Sequence, residues 1–196
     1  GVAGARLRGP DALVRECSFD GGADGLLLEG ERGDVFRCTF RALAVGVRLA
    51  AGSRACKVAR CTGRDLLSLV VGAAGSSGGL VLENRVTDAG GDAIRVEGTG
   101  HRVEGNVIRG AQGAGVSATG AELTVGHNVV ERAGAEGVRA SGGGCVVDGN
   151  EIGAPAGTAI DVRGDGVSVT ANVVTGAGAE GRPPPKLHVA NRGVTV

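Results

Sequence analysis

The chain has 196 residues, with 21 basic and 21 acidic side chains and 39 glycines. Zero net charge leaves no electrostatic footprint for nucleic acid or an anionic membrane, and no apolar run approaches the ~20 residues that span a bilayer. Disorder is excluded because 42% of residues are apolar and recur periodically; collagen is excluded because glycine has no three-residue period.

Taken in order, residues 1–16 read as a partial first coil ending in Val14. Ala5, Arg6 and Leu7 stand 12, 11 and 10 residues before Cys17, as Ile94, Arg95 and Val96 stand before Asn106. The chain therefore reads as starting within a repeat, as a segment of a longer protein would. From Cys17 onward one frame recurs through residue 180. Cys17, Cys38 and Cys61 lead to Asn84, Asn106, Asn128, Asn150 and Asn172, the last four steps being 22 residues each. A valine precedes each by three positions, from Val14 to Val169, and an aliphatic or aromatic side chain follows by two, with Gly63 the exception. A fixed period in the low twenties is the signature of a solenoid.

Each coil is expected to carry three short strands separated by Gly-rich corners. From Asn106, the first run places Ile108 inward; the second, Val116-Ser117-Ala118, places Ser117 outward; the third places Leu123 and Val125 inward. Period-2 alternation signals strands, and glycine interrupts every candidate helix, including residues 133–140. Three strands per coil, stacked, make an all-β parallel β-helix of about eight coils, on the order of 40 Å long. Residues 181–185, Gly-Arg-Pro-Pro-Pro, break the pattern because proline cannot donate to a ladder. Residues 186–196 read as a degenerate last coil of what is expected to be one domain over 1–196.

The asparagines are expected to form an inward ladder. Their amides bond the coils above and below, and asparagine also tolerates a left-handed φ at such a corner. Cys17, Cys38 and Cys61 share that column as small apolar groups, close enough for a disulfide but read as free thiols. Five cysteines is an odd count for a disulfide framework.

The asparagine ladder, the Val-x-x-Asn frame and Gly-Asp-Ala-Ile-Arg-Val at 91–96 resemble the right-handed parallel β-helix repeat family, the pectate-lyase-like superfamily. The resemblance covers residue 5 to about 180. It implies right-handedness and favours an extracellular or cell-surface location. It also implies a scaffold shared by lyases, epimerases, hydrolases and surface proteins without activity, so the chemistry has to come from the site.

The outward strand face reads Arg6, Leu27, Arg48, Val70, Arg95, Ser117, Arg139, Asp161, beside a corner column of Asp92, Ala114, Glu136, Thr158 and Glu180. A lyase or epimerase needs a base, an enolate-stabilising cation and often calcium; a hydrolase needs two carboxylates about 5–10 Å apart. The candidates are Asp88, Asp92 and Arg95 on one coil, and Glu136, Arg139 and Asp161 on two. Arg139 and Asp161 also suit a cross-rung ion pair. His101, His127 and His188 fall at unrelated frame positions, which argues against a metal cluster or His-centred triad. No cofactor is implied, with calcium left open. Coils of near-constant length build no cleft walls, and Trp and Tyr are missing. The sequence thus favours a non-catalytic rod, stalk or assembly unit with a shallow polysaccharide-binding face. The alternatives are an enzyme scaffold for acidic glycans and a head-to-tail filament subunit. For the last, Asn191 through Val196 and on from Gly1 to Cys17 spans 5 + 17 = 22 residues, one coil.

Overall fold

The computed structural model describes residues 3–176 and 187–190. All regular structure there is β, and every strand pairing is parallel. The first ladder, on the valine side of the asparagine corner, stacks eight strands in chain order. They run from Leu13–Arg15, Asp34–Phe36, Lys57–Ala59 and Leu80–Leu82 to Arg102–Glu104, Thr124–Gly126, Val146–Asp148 and Ser168–Thr170. The second ladder follows the corner and includes Thr62–Leu66, Arg85–Ala89, Val107–Ala111, Val129–Ala133, Glu151–Gly153 and Val173–Thr175. The third includes Ala3–Leu7, Ser68–Ser77, Ile94–Thr99, Val116–Thr119, Val138–Ser141, Ile160–Arg163 and Leu187–Ala190. Three strands per coil does not hold everywhere. Ser18–Leu28 and Thr39–Leu49 are 11-residue strands that run through the corner and join the second and third ladders into one sheet.

The frame read from the sequence is the core. Val35, Val58, Val81, Val103, Val125 and Val147 are all 0% exposed. Phe40, Val86, Ile108, Val130 and Ile152 are likewise buried, and Phe19 stacks on Phe40 at 5.2 Å between centroids. At the exception, Gly63, Leu66 and Leu69 fill the missing volume, since a Cβ there would lie 2.9 Å from Leu69 Cδ1. Close packing across one continuous apolar column contributes roughly 1.5–3 kcal/mol for each fully buried large side chain.

The asparagine column is a hydrogen-bonded chain. Asn106 Oδ1 accepts from the backbone N–H of Asn84 at 2.9 Å and from its Nδ2 at 3.0 Å. Asn106 Nδ2 donates to Val81 O at 3.0 Å and to Asn128 Oδ1 at 2.9 Å. The same bonds repeat at Asn84, Asn128 and Asn150. The thiols copy half of this arrangement. Cys61 Sγ points at Val35 O and Cys38 Sγ at Val14 O, the carbonyls that asparagine amides reach higher in the stack. Cys17, Cys38 and Cys61 are free, with Cys17 exposed and the other two buried.

The left-handed residue at this corner is not the asparagine, as the sequence suggested, but its predecessor. Glu16, Arg37, Arg60, Glu83, His127 and Ala171 have φ of 51–54°, and Gly105 and Gly149 complete the column. Two further corner columns do the same: Asp11, Arg32, Ala55, Glu122 with glycines, and Ala42, Asp65, Asp88, Arg132, Ala154 with glycines. Burying the asparagine amide requires a sharp reversal just before it, so the strain falls on the preceding residue. A different constraint acts at Gly120, whose Cβ would lie 1.6 Å from Gly98 O. Only glycine permits that approach.

One register expectation is corrected. The outward column contains Val71, while Val70 pairs with Val47 and Ile94 and lies in the core. The cysteine-led coils reach this position ten residues after their cysteine, as at Arg48 and Val71, whereas the asparagine-led coils take eleven. Residues 181–185, Glu180 and Asn191 lie outside the described residues. Leu187–Ala190 adds a rung to the third ladder beside Ile160–Arg163.

Replacing Asn106 with Ala leaves the Asn84 N–H and Val81 carbonyl without their partners in a dry corner. We expect a loss of about 3–5 kcal/mol in chemical denaturation, from unsatisfied groups at ~1–3 kcal/mol each. Ala55→Gly is expected to raise stability by about 0.5–1 kcal/mol. Relief of the left-handed cost of ~1–2 kcal/mol exceeds glycine's entropic penalty; an unchanged or lower midpoint contradicts the assigned strain.

Candidate functional site

The outward column of the third ladder runs Arg6, Leu27, Arg48, Val71, Arg95, Ser117, Arg139, Asp161 and His188. Strand alternation aims these side chains away from the core, yet Ser117 and Asp161 are only 7% and 5% exposed because longer neighbours cover them. The candidate residues do not converge on one point. Arg95 Nε donates to Glu97 Oε1 at 2.9 Å, on its own strand. Asp92 Oδ1 accepts the Ala114 N–H at 2.8 Å and so caps the next coil's corner. Arg139 pairs with Glu136 at 2.8 Å, not with Asp161. Asp161 is held between Arg163, at 2.7 Å, and His188 Nδ1, at 2.9 Å. Burial raises the Asp161 pKa, but hydrogen bonds from Arg163 and His188 outweigh it and hold the group below the usual aspartate range. A carboxylate kept ionised by an arginine and a histidine hydrogen bond is a poor general acid. The link to His188 was hidden in the sequence because the step from Asp161 is 27 residues.

Asp88 behaves differently. It lies in the left-handed corner column directly above Asp65, and both line a groove of about 430 Å³ with Gly22, Leu43, Leu67 and Gly90. A second hollow of about 270 Å³, shared through Gly22 and Leu43, continues it past Asp20 and Asp24. Constant coil length argued against any cleft. The groove arises without an insertion: Gly22, Ala42, Ala44 and Gly90 carry little side chain, while Leu67, 54% exposed, stands proud. Asp65 carries an ion pair to Arg64 at 3.4 Å; Asp88 has none among the described residues. Among the described residues, no three His, Cys, Asp or Glu groups are placed to hold a metal ion, and no helix is long and apolar enough to cross a membrane.

The parallel coils and the asparagine ladder define a parallel β-helix. The chain belongs to the right-handed β-helix family, whose sequence model, described as a right-handed beta helix region, matches residues 3–152. No curated protein matches it. Among solved structures, trypsin-treated QnrB1, a plasmid-mediated fluoroquinolone resistance protein, is 11% identical, with 95% of this chain and 92% of that chain covered at a TM-score of 0.32. Full-length QnrB1 is 12% identical over 92% and 94%, at a TM-score of 0.26. Superpositions this loose carry no argument about this chain.

Two kinds of titratable group are buried away from these faces. Burial pushes the Cys61 thiol up to about 12 and raises Cys38, Cys56 and Cys145 as well, which leaves them protonated and unreactive at neutral pH. His101 lies in the core above Gly79, whose N–H donates to Nδ1 at 3.0 Å. Its Nε2 then carries the proton, facing Ser76 Oγ at 3.2 Å and Glu97 O at 3.3 Å. Burial lowers the His101 pKa, and protonating Nδ1 would set it against the Gly79 donor. The folded state therefore favours neutral imidazole. Its contribution is complete above the unfolded pKa of ~6.5 and is lost as pH falls through the lower folded value. Denaturant titrations between neutral pH and pH ~5 should show stability falling on acidification, and His101→Leu should flatten that slope. An unaltered slope in the variant rules out His101 as its source.

Proposed function

We propose that this chain is a non-catalytic β-helix module, a stiff rod whose ladder faces and corner groove serve binding. The carrying observation is that the charged groups best placed for chemistry already serve the scaffold. Asp92 caps a corner, Glu136 and Arg139 hold each other, and Asp161 is clamped by Arg163 and His188. A base withdrawn from such a partner would weaken the coil it supports. The rigidity comes from the continuous ladders, in which each rung is bonded on both sides. The corner groove, with Leu67 as an apolar step and the Asp65 and Asp88 carboxylates as hydroxyl acceptors, suits a shallow glycan contact.

A second reading is favoured by one feature: Asp65 and Asp88 stand on adjacent rungs of the groove. Rungs ~4.8 Å apart bring carboxylates within the separation used for glycoside cleavage. A panel of neutral and acidic polysaccharides, assayed for new reducing ends and for unsaturated uronate absorbance, separates the two. The rod reading predicts no product with the unmodified chain. Turnover that disappears in Asp88→Asn, with the thermal transition retained, would establish the enzyme reading instead.

A further inference from the structure

We propose that Cys17 and Cys38 form a binding site for a soft, two-coordinate metal ion of the Cu(I) class, held as a bridge between thiolates on adjacent rungs. The two residues occupy the same seat of the inward corner column. Val14 pairs with Val35 before them and Ser18 with Thr39 after them, and the Thr39 N–H donates to Cys17 O at 2.9 Å. Cys61 takes the next seat, flanked in the same way by Val58 and Thr62. All three thiols point the same way. Cys17 Sγ lies 3.2 Å from Arg15 O, Cys38 Sγ 3.5 Å from Phe36 O and Cys61 Sγ 3.4 Å from Ala59 O, in each case the carbonyl two residues earlier. Side chains with one direction on successive rungs repeat at the rung spacing, so the sulfurs stand roughly 4.8 Å apart.

That separation decides what the column can hold. A disulfide needs its sulfurs ~2.05 Å apart and its Cβ atoms ~3.8 Å apart, about 1 Å closer than the rungs stand, and all five cysteines are free. Structural zinc takes four ligands in a tetrahedron, and among the described residues no three His, Cys, Asp or Glu groups are placed to share an ion. A linear thiolate–metal–thiolate bridge asks for less. With metal–sulfur bonds near the ~2.3 Å of a zinc thiolate it spans roughly 4.6 Å, which matches the ladder repeat without moving the backbone. Cu(I) is the soft ion that thiolates select and that two of them in a line can satisfy.

Two further observations single out this pair. Cys17 is exposed, whereas Cys38 and Cys61 are each 1% exposed, so an ion enters at Cys17 and meets Cys38 next, with Cys61 beyond it. Cysteine is also a poor occupant of this seat on structural grounds. Asn84 Oδ1 takes the Cys61 N–H at 2.9 Å, and a thiol offers no such acceptor to the rung below. Three successive cysteines therefore forgo a bond per rung that asparagine would make. Binding converts two thiols to thiolates. One Cu(I) and two S–H groups give an S–Cu–S bridge with a single net negative charge, and two protons pass to solvent. Burial raises the Cys38 pKa, so the ion has to displace that proton, as metals do from coordinating thiols. Cys17 keeps the bridge at the solvent edge, which lessens the cost of its charge.

The test is an anaerobic titration of the full, reduced chain with Cu(I) against a competing chelator, followed by thiolate-to-copper absorbance in the ultraviolet and by native mass spectrometry. We expect one ion per chain, two protons released with it, binding that weakens as pH falls, and a thermal midpoint that rises with metal. Cys17→Ser changes an exposed side chain, so its own thermal transition should be retained. Its binding should weaken by more than the ~10–100-fold that follows loss of an outer-shell contact, because a ligand itself is gone. No uptake by the reduced chain overturns the proposal, as does uptake that Cys17→Ser retains in full. Zn(II) bound as tightly as Cu(I), or a midpoint lowered by the metal, contradicts a linear site in the folded column and overturns it as well. A Cys17–Cys38 disulfide that forms in air, from a chain that takes up no Cu(I), would replace the metal site with a redox cross-link.

Discussion

Everything in this molecule depends on one recurring corner at which a side-chain amide is buried between coils. The asparagine stands in for an inter-coil ladder where the backbone turns, bonding the amide of the coil below and the valine carbonyl two steps away in the chain of contacts. That interaction fixes the length of the coil, because the amide must return to the same place each time. It also fixes where strain is tolerated. The residue before the amide takes a left-handed conformation whether it is glycine, alanine, arginine or histidine. Where cysteine occupies the seat, the thiol reaches the same carbonyl but offers no acceptor to match the amide oxygen. The cysteine-led coils are also the less regular ones.

Because the coil length is locked, the outer faces are ladders in which each side chain sees its neighbours at a fixed repeat. Opposite charges on adjacent rungs are the default, and most of the exposed ion pairs follow it. Individually such pairs contribute little at the surface. They do, however, decide which carboxylates and guanidinium groups on these faces hold each other. Asp161 is the clearest case, an outward aspartate that becomes nearly buried between an arginine and a histidine. Like charges also stack on adjacent rungs, at Asp65 and Asp88 and at Arg37 and Arg60.

The legibility of the molecule was uneven. The core frame from Val35 to Val147 and the asparagine column could be read directly, because a solenoid turns sequence period into spatial register. The outward column could be read to within one residue. Val70 was misplaced for Val71, which stands ten residues after Cys61 as Leu27 and Arg48 stand after their cysteines. The pairing of Asp161 with His188 and the groove beside Leu67 could not be read. The first depends on an irregular step through the last segment, and the second on small residues from separate coils lining up beside one large one.

What the sequence alone determined is the repeat, the parallel β architecture, the inward columns and, to within one residue, the outward one, all consequences of a period that forces equivalent residues into contact. What only the tertiary structure decided is which outward charges find each other. Arg139 could have taken Asp161 across the rung but takes Glu136 within its own coil. That choice rests on side-chain direction and local crowding at distances of a few ångströms. A one-dimensional pattern with a 22-residue step carries no information at that scale.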